Sequence, residues 1–87
     1  MASSLHIYRV GVFAVIENAG KVLLARRSDI GWWNLPGGGM EAKETVDQAL
    51  RREVLEEVGI EIEIDFLVGI YSKPQKSEVV LTFWCHP

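Results

Sequence analysis

Apolar and polar positions fall in blocks that predict strands, then one amphipathic helix, then strands again. Ile7 to Ile16 is rich in β-branched and aromatic residues with apolar groups on both alternations, the pattern of a strand covered on both faces. Asn18-Ala19-Gly20 is a turn signal, and Lys21 to Arg27 reads as the returning strand of a hairpin. Alternation puts Leu23, Ala25 and Arg27 on one face of that strand and Val22, Leu24 and Arg26 on the other. Ser28 to Gly39 breaks the pattern and is predicted to be irregular. Within it Pro36 fixes its own φ, while Gly37, Gly38 and Gly39 let a ligand approach the main chain.

The helix is predicted over Val46 to Val58. Thr45 and Gln48 form a Thr-x-x-Gln capping box, Asp47 places an anion in the first turn, and Gly59 is the expected stop. At 100° per residue Val46, Leu50, Val54 and Val58 make one apolar stripe. Glu53, Glu56 and Glu57 share an arc that overlaps an edge of the stripe, so a helix docked by its apolar face cannot leave Glu57 fully solvated. Beyond it, Ile60, Ile62, Ile64 and Phe66 alternate with Glu61, Glu63 and Asp65 as a half-buried strand. Leu67 to Tyr71 is a further apolar run, Lys73 to Ser77 a break, and Glu78 to Cys85 a last strand.

Composition narrows the class. A chain of 87 residues, 48% apolar and 24% charged, suits one small soluble globular domain with a thin core. The net charge of −3 supplies no basic footprint, so nucleic acid is not an expected partner. A nucleotide is still compatible with an acidic protein if a divalent cation stands between them. Cys85 is the one cysteine, which excludes an internal disulfide; its apolar surroundings predict a buried thiol. No apolar run is long enough to span a membrane and the N-terminus lacks a secretory pattern, so the expected location is cytoplasmic. His6 and His86 have no partner at metal-ligand spacing and read as incidental.

Candidate chemistry gathers at three places. Arg26 and Arg27 end the returning strand, as solvated end charges or as guanidinium forks for phosphate. Trp32 and Trp33 cannot both point the same way, so one is expected to pack inward and the other to line a pocket or the surface. They either pin the loop or, like Tyr71, stack on a base. The helical carboxylates repel one another, each like-charged i,i+4 pair costing about 0.2–0.5 kcal/mol, and Arg52 at i−4 from Glu56 offsets part of that. Such a run usually means a salt-bridged solvent face. Beside a glycine loop, a hard cation such as Mg²⁺ or Mn²⁺ explains it better, because such ions select carboxylate and carbonyl oxygens.

These features lie in one unit, Gly38-x5-Glu44-x7-Arg52-Glu53-Val54-x-Glu56-Glu57-x-Gly59-Ile60. It resembles the Nudix box of MutT-type hydrolases at every specified position, and Leu35-Pro36-Gly37-Gly38 and the hairpin ending in Arg26-Arg27 resemble that family's lead-in. The resemblance implies an α+β fold, an α/β/α sandwich built on a mixed sheet that carries the Nudix helix. It implies a hydrolase that cleaves the pyrophosphate linkage of nucleoside diphosphate derivatives with Mg²⁺ or Mn²⁺. On that pattern Glu53, Glu56, Glu57 and the carbonyl of Gly37 or Gly38 hold the metal, and Glu44 pairs with Arg52 to hold the loop against the helix. Glu53 or Glu56 is the candidate base. Arg27, Arg26, Gly38, Gly39 and Trp33 are the candidate substrate contacts.

Ala42-Lys43 stands where the family often has Pro-Gly, a variable position. Members usually run longer, with further strands and a closing helix, so residues 1–87 are expected to be a single, incomplete domain. Its apolar surface and strand edge are expected to be covered by the rest of a longer chain or by a second copy in a homodimer. The alternative function is a non-catalytic nucleotide-binding module or an inactive fragment that needs a partner. A charged helix on an ordinary α+β scaffold would leave the whole motif to chance.

Overall fold

The computed structural model describes residues 5–26 and 28–87. The chain order is β1 (Arg9–Asn18), β2 (Lys21–Val22), β3 (Ala25–Arg26), β4 (Trp33–Asn34), β5 (Gly37–Gly39), α1 (Val46–Val58), β6 (Glu63–Lys73) and β7 (Glu78–His86). A short 3-10 turn, Pro74–Lys76, joins the last two strands. The fold is α+β: one mixed five-stranded sheet with α1 packed on one face. A second helical layer of a sandwich is not found among the described residues.

β1 and β7 run side by side in parallel, from Arg9 opposite Glu78 to Ile16 opposite Cys85, and β6 pairs antiparallel with the far edge of β7. The near edge of β1 is shared. Its C-terminal end takes β2, with Glu17 opposite Val22, and its N-terminal part takes β5, with Gly11, Val12 and Phe13 opposite Gly39, Gly38 and Gly37. This sharing corrects two expectations. A strand running unbroken from Lys21 to Arg27 would need the edge positions that β5 occupies, so the chain leaves after Leu23, whose N–H still reaches the Ile16 carbonyl at 3.0 Å. The segment from Ser28 to Gly39 is correspondingly not all irregular, because it contains β4 and β5.

β3 and β4 form a separate two-stranded sheet that gives neither tryptophan a core to enter. Trp32 and Trp33 are 69% and 61% exposed, against the expectation that one packs inward.

The core lies between α1 and the sheet. Val12, Ala14 and Ile16 of β1 meet Ala49, Leu50 and Val54 of α1, with Ile62 and Cys85 completing the cluster and Val46 and Val58 at its ends. Phe13 and Val15, on the other face of β1, are only partly buried, so the strand is fully covered on one face rather than two. Burial pushes the Cys85 thiol up to about 11.

The helix ends as its caps predict. Thr45 Oγ1 accepts the Gln48 N–H at 3.3 Å, Gln48 Oε1 accepts the Thr45 N–H at 3.0 Å, and Gly59 closes the last turn at φ 72°. An N-cap of this kind contributes about 0.5–2 kcal/mol. The alternating segment after Ile60 and the apolar run after it form one long strand, β6, with bulges between Ile64 and Phe66 and between Leu67 and Gly69. These bulges shift which side chains face α1, since each extra residue inverts the alternation. His86 is not isolated: its Nδ1 lies 2.9 Å from Asp65 Oδ2 across the β6–β7 pair.

Candidate active site

The capping box starts α1 so that the helix runs back under β5. Glu53 and Glu57, one turn apart, then face the glycine strand. The Gly37 N–H donates to Glu57 Oε2 at 2.7 Å. Gly38 sits directly over Glu53: a Cβ there would collide with the Glu53 carboxylate, and one on Gly37 would overlap the Val12 carbonyl and Phe13. Glycine is required at both positions because backbone, strand and carboxylate approach within the space a side chain would fill.

Arg52 ties the unit together. Its Nε reaches Glu44 Oε2 at 2.6 Å and its Nη2 reaches Glu44 Oε1 at 2.9 Å, a bidentate pair. Nη2 also donates to the Gly39 carbonyl at 3.1 Å, and Nη1 to Glu53 Oε1 at 2.7 Å and Glu56 Oε2 at 3.3 Å. One planar guanidinium thus fastens the loop residue Glu44, the glycine strand and two helical carboxylates. Arg51 points elsewhere and donates to the Ile62 carbonyl.

The electrostatics follow from these contacts. The Arg52 hydrogen bonds, helped by the Glu41 N–H, hold the Glu44 carboxyl down at about 2. Glu44 and then Glu53 raise Arg52 above its ordinary value. Although Glu57 as a residue is exposed, its carboxylate is set against Gly37. Partial desolvation pushes its pKa up, the Gly37 N–H opposes that, and the charges of Glu53 and Glu56 add to the rise.

A cavity of about 640 Å³ opens beside this unit. Gly37, Gly38 and Glu57 form one end, and Phe13, Val80 and Thr82, from the central strands, form part of the floor. Asn34 and, from β6, Tyr71 and Lys73 also line it.

The structure brings Glu44, Arg52, Glu53, Glu56, Glu57, Gly37, Gly38 and Gly39 together, as the spacing predicts. It does not bring Arg26 or Trp33 to the cavity. They face each other across β3 and β4, and Arg26 extends beside Gly31. Arg27 lies outside the described residues. Phe13, Lys73 and Thr82 were not legible as lining residues, because only the β1–β5, β1–β7 and β6–β7 pairings carry them to this place, and Asn34 lies in a segment that reads as irregular.

Among the described residues, no three acidic, histidine or cysteine side chains converge closely enough to hold a metal as they stand. The donors nevertheless suit a hard cation. Two carboxylates flank the Gly37–Gly38 backbone, a third lies one turn along, and all are oxygen ligands. Arg52 now engages Glu53 and Glu56, so it must share them with any ion that binds.

The family model described as NUDIX domain matches residues 6–87. The chain belongs to the Nudix family. A MutT-like protein of Streptomyces ambofaciens is 41% identical to it over 87 residues, covering 99% of this chain and 56% of the relative. An ADP-ribose pyrophosphatase of Methanocaldococcus jannaschii is 40% identical over 70 residues, covering 77% and 41%. A NUDIX hydrolase from Nitrosomonas europaea superposes with a TM-score of 0.90 at 37% identity, covering 95% of this Nudix chain and 49% of the other. The chain therefore spans about half the length of the relatives it matches. No helix among its described residues is long and apolar enough to cross a membrane.

Proposed function

We propose that this chain carries the metal-binding half of a divalent-metal-dependent hydrolase that cleaves the pyrophosphate linkage of a nucleoside diphosphate derivative. The observation that carries the reading is the placement of Glu53 and Glu57 against Gly38 and Gly37, with Arg52 and Glu44 locking helix to strand. Glu53, Glu56, Glu57 and a carbonyl of Gly37 or Gly38 would hold Mg²⁺ or Mn²⁺. When bound, the ion neutralises diphosphate oxygens and lowers the pKa of water.

The residues divide the remaining work. Arg52 is a positioning residue, since all five of its donors are directed at the protein. Glu53 is held tightly by it, whereas Glu56 is 58% exposed at its side chain and held more loosely at 3.3 Å. Glu56 is therefore the more mobile proton acceptor for the attacking water. The cavity beside Glu57 accommodates the substrate, and its volume is within the roughly 300–1,000 Å³ of small-molecule sites.

The test is release of phosphate or nucleoside monophosphate from a panel of nucleoside triphosphates, ADP-ribose, nucleotide sugars and dinucleoside polyphosphates. Activity that requires Mg²⁺ or Mn²⁺ and vanishes with EDTA is expected. Binding without turnover in either ion would instead identify a nucleotide-binding module. The proposal extends to assembly: a second copy covers the exposed apolar edge of β6 at Phe66, Leu67 and Ile70. Sedimentation velocity reads that directly, and a monomer removes this part.

A further inference from the structure

The far wall of the cavity has a construction that metal binding does not explain. Tyr71 is half exposed, and its phenol folds back along β6 over Gly69. A Cβ on Gly69 would come within 2.8 Å of the Tyr71 hydroxyl oxygen and 3.0 Å of the ring carbon bearing it. The missing side chain at position 69 is what lets the ring take that place. Two residues on, Lys73 is the one positive side chain among the described residues lining the cavity, and Glu57 the one negative. The Lys73 ammonium stands 3.8 Å from Glu78 Oε1 with half of its side chain in solvent, a loose pair that leaves donors to redirect.

We propose that Tyr71, seated over Gly69, is the base-stacking platform of this site, and that Lys73 takes a phosphate oxygen of the same nucleotide. The inference rests on the nucleotide reading above and adds to it the residues that recognise the substrate. An aromatic face is sequence-tolerant, since every base offers a π-surface. A lysine serves phosphate as a point charge on a flexible stem, which suits a wall reached by bending away from Glu78. The carboxylate end and the cationic wall also divide the ligand sensibly. A diphosphate whose charge a cation partly neutralises would lie toward Glu57, leaving its remaining negative charge for Lys73.

Calorimetric binding of ADP and of inorganic pyrophosphate, each with Mg²⁺, tests this in the parent and in variants. Tyr71→Ala is expected to weaken ADP binding by roughly five- to a hundredfold while pyrophosphate affinity stays within about twofold, and Tyr71→Phe to retain the parental value. Gly69→Ala, whose new methyl meets the movable end of the Tyr71 side chain rather than backbone, is expected to reproduce part of the ADP loss in a folded protein. Lys73→Ala is expected to weaken both ligands and Lys73→Arg to restore them.

The inference is overturned if Tyr71→Ala weakens both ligands equally or neither, or if the parent binds ADP no more tightly than pyrophosphate. Metal-dependent hydrolysis whose kcat/KM is unchanged in Tyr71→Ala and Lys73→Ala removes this inference and leaves the hydrolase. Tyr71-dependent ADP binding in a protein that hydrolyses nothing does the reverse.

Discussion

The helix–glycine-strand unit and the outer strand β6 solve opposite problems in one small fold. Around α1 and β5, charged groups are packed close and partnered: Arg52 donates to Glu44, Glu53, Glu56 and the Gly39 carbonyl. Along β6, apolar groups are left open, with Phe66, Leu67, Val68 and Ile70 all exposed. The polar unit is assembled mostly from residues near one another in sequence, and its spacing on one helix sets which groups meet. The outer strand is placed by a long pairing with β7, and its environment depends on whatever lies beyond the sheet. Charged geometry is thus specified locally here, and burial is specified at a distance.

The largest expected effect tests the carboxylate end. Glu57→Gln can still accept the Gly37 N–H, so the fold should persist with a thermal midpoint near the parental one. A neutral amide is a poor ligand for a hard cation, and turnover should fall by about a hundredfold or more. Parental turnover on the nucleotide panel would dissolve the contrast between a functional and a merely structural cluster.

Core truncation should separate the two regions next. Leu50 is 0% exposed and Ile70 is 61% exposed. Leu50→Ala is expected to cost about 2–5 kcal/mol in urea unfolding through lost burial and a residual cavity. Equal costs at Leu50 and Ile70 would mean that β6 is covered in solution, as a second copy would cover it.

A smaller, pH-dependent effect belongs to Glu44. Its folded-state pKa of about 2 lies below the ordinary 4.5, so its stabilising contribution is present above 4.5 and is lost as pH falls through about 2. Glu44→Gln should therefore lower the thermal midpoint by a constant amount from neutral pH to about 4.5, and the gap from the parent should close toward pH 2. A gap that persists at pH 2 would assign the role of Glu44 to packing rather than charge. The least effect is expected from Ile70→Ala at protein concentrations low enough to leave the chain monomeric, within about 0.5 kcal/mol, as for an exposed substitution.

Legibility in the sequence followed the range of the interactions. The capping box, the Gly59 stop and the Asn18-Ala19-Gly20 turn read directly, because each is decided by residues a few positions apart; Ala19 and Gly20 both adopt the positive φ of a tight hairpin turn. Ala49 escaped the apolar stripe because its small side chain gives little periodic signal, yet it is fully buried against the sheet. Lys21 to Arg27 has the pattern of a longer strand than forms, because nothing in it reveals that Gly37–Gly39 competes for the same edge of β1. Asp65 and His86 are far apart in sequence and meet only through the β6–β7 register, so their pairing left no local trace.

The sequence by itself determined the family, the helix and its ends, and the set of oxygen donors, because a fixed rise and rotation per residue turns spacing into geometry along one helix. Only the tertiary structure decided that Arg52, whose pairing with Glu44 and Glu56 is expected from the sequence, would also gather Glu53 and the Gly39 carbonyl at one guanidinium. Tertiary structure alone likewise carried Tyr71 and Lys73 opposite Glu57 and left Trp33 and Arg26 outside the cavity. Strand pairing joins residues without regard to their separation in the chain, so the register that closes a cavity is a property of the whole sheet and not of any stretch within it.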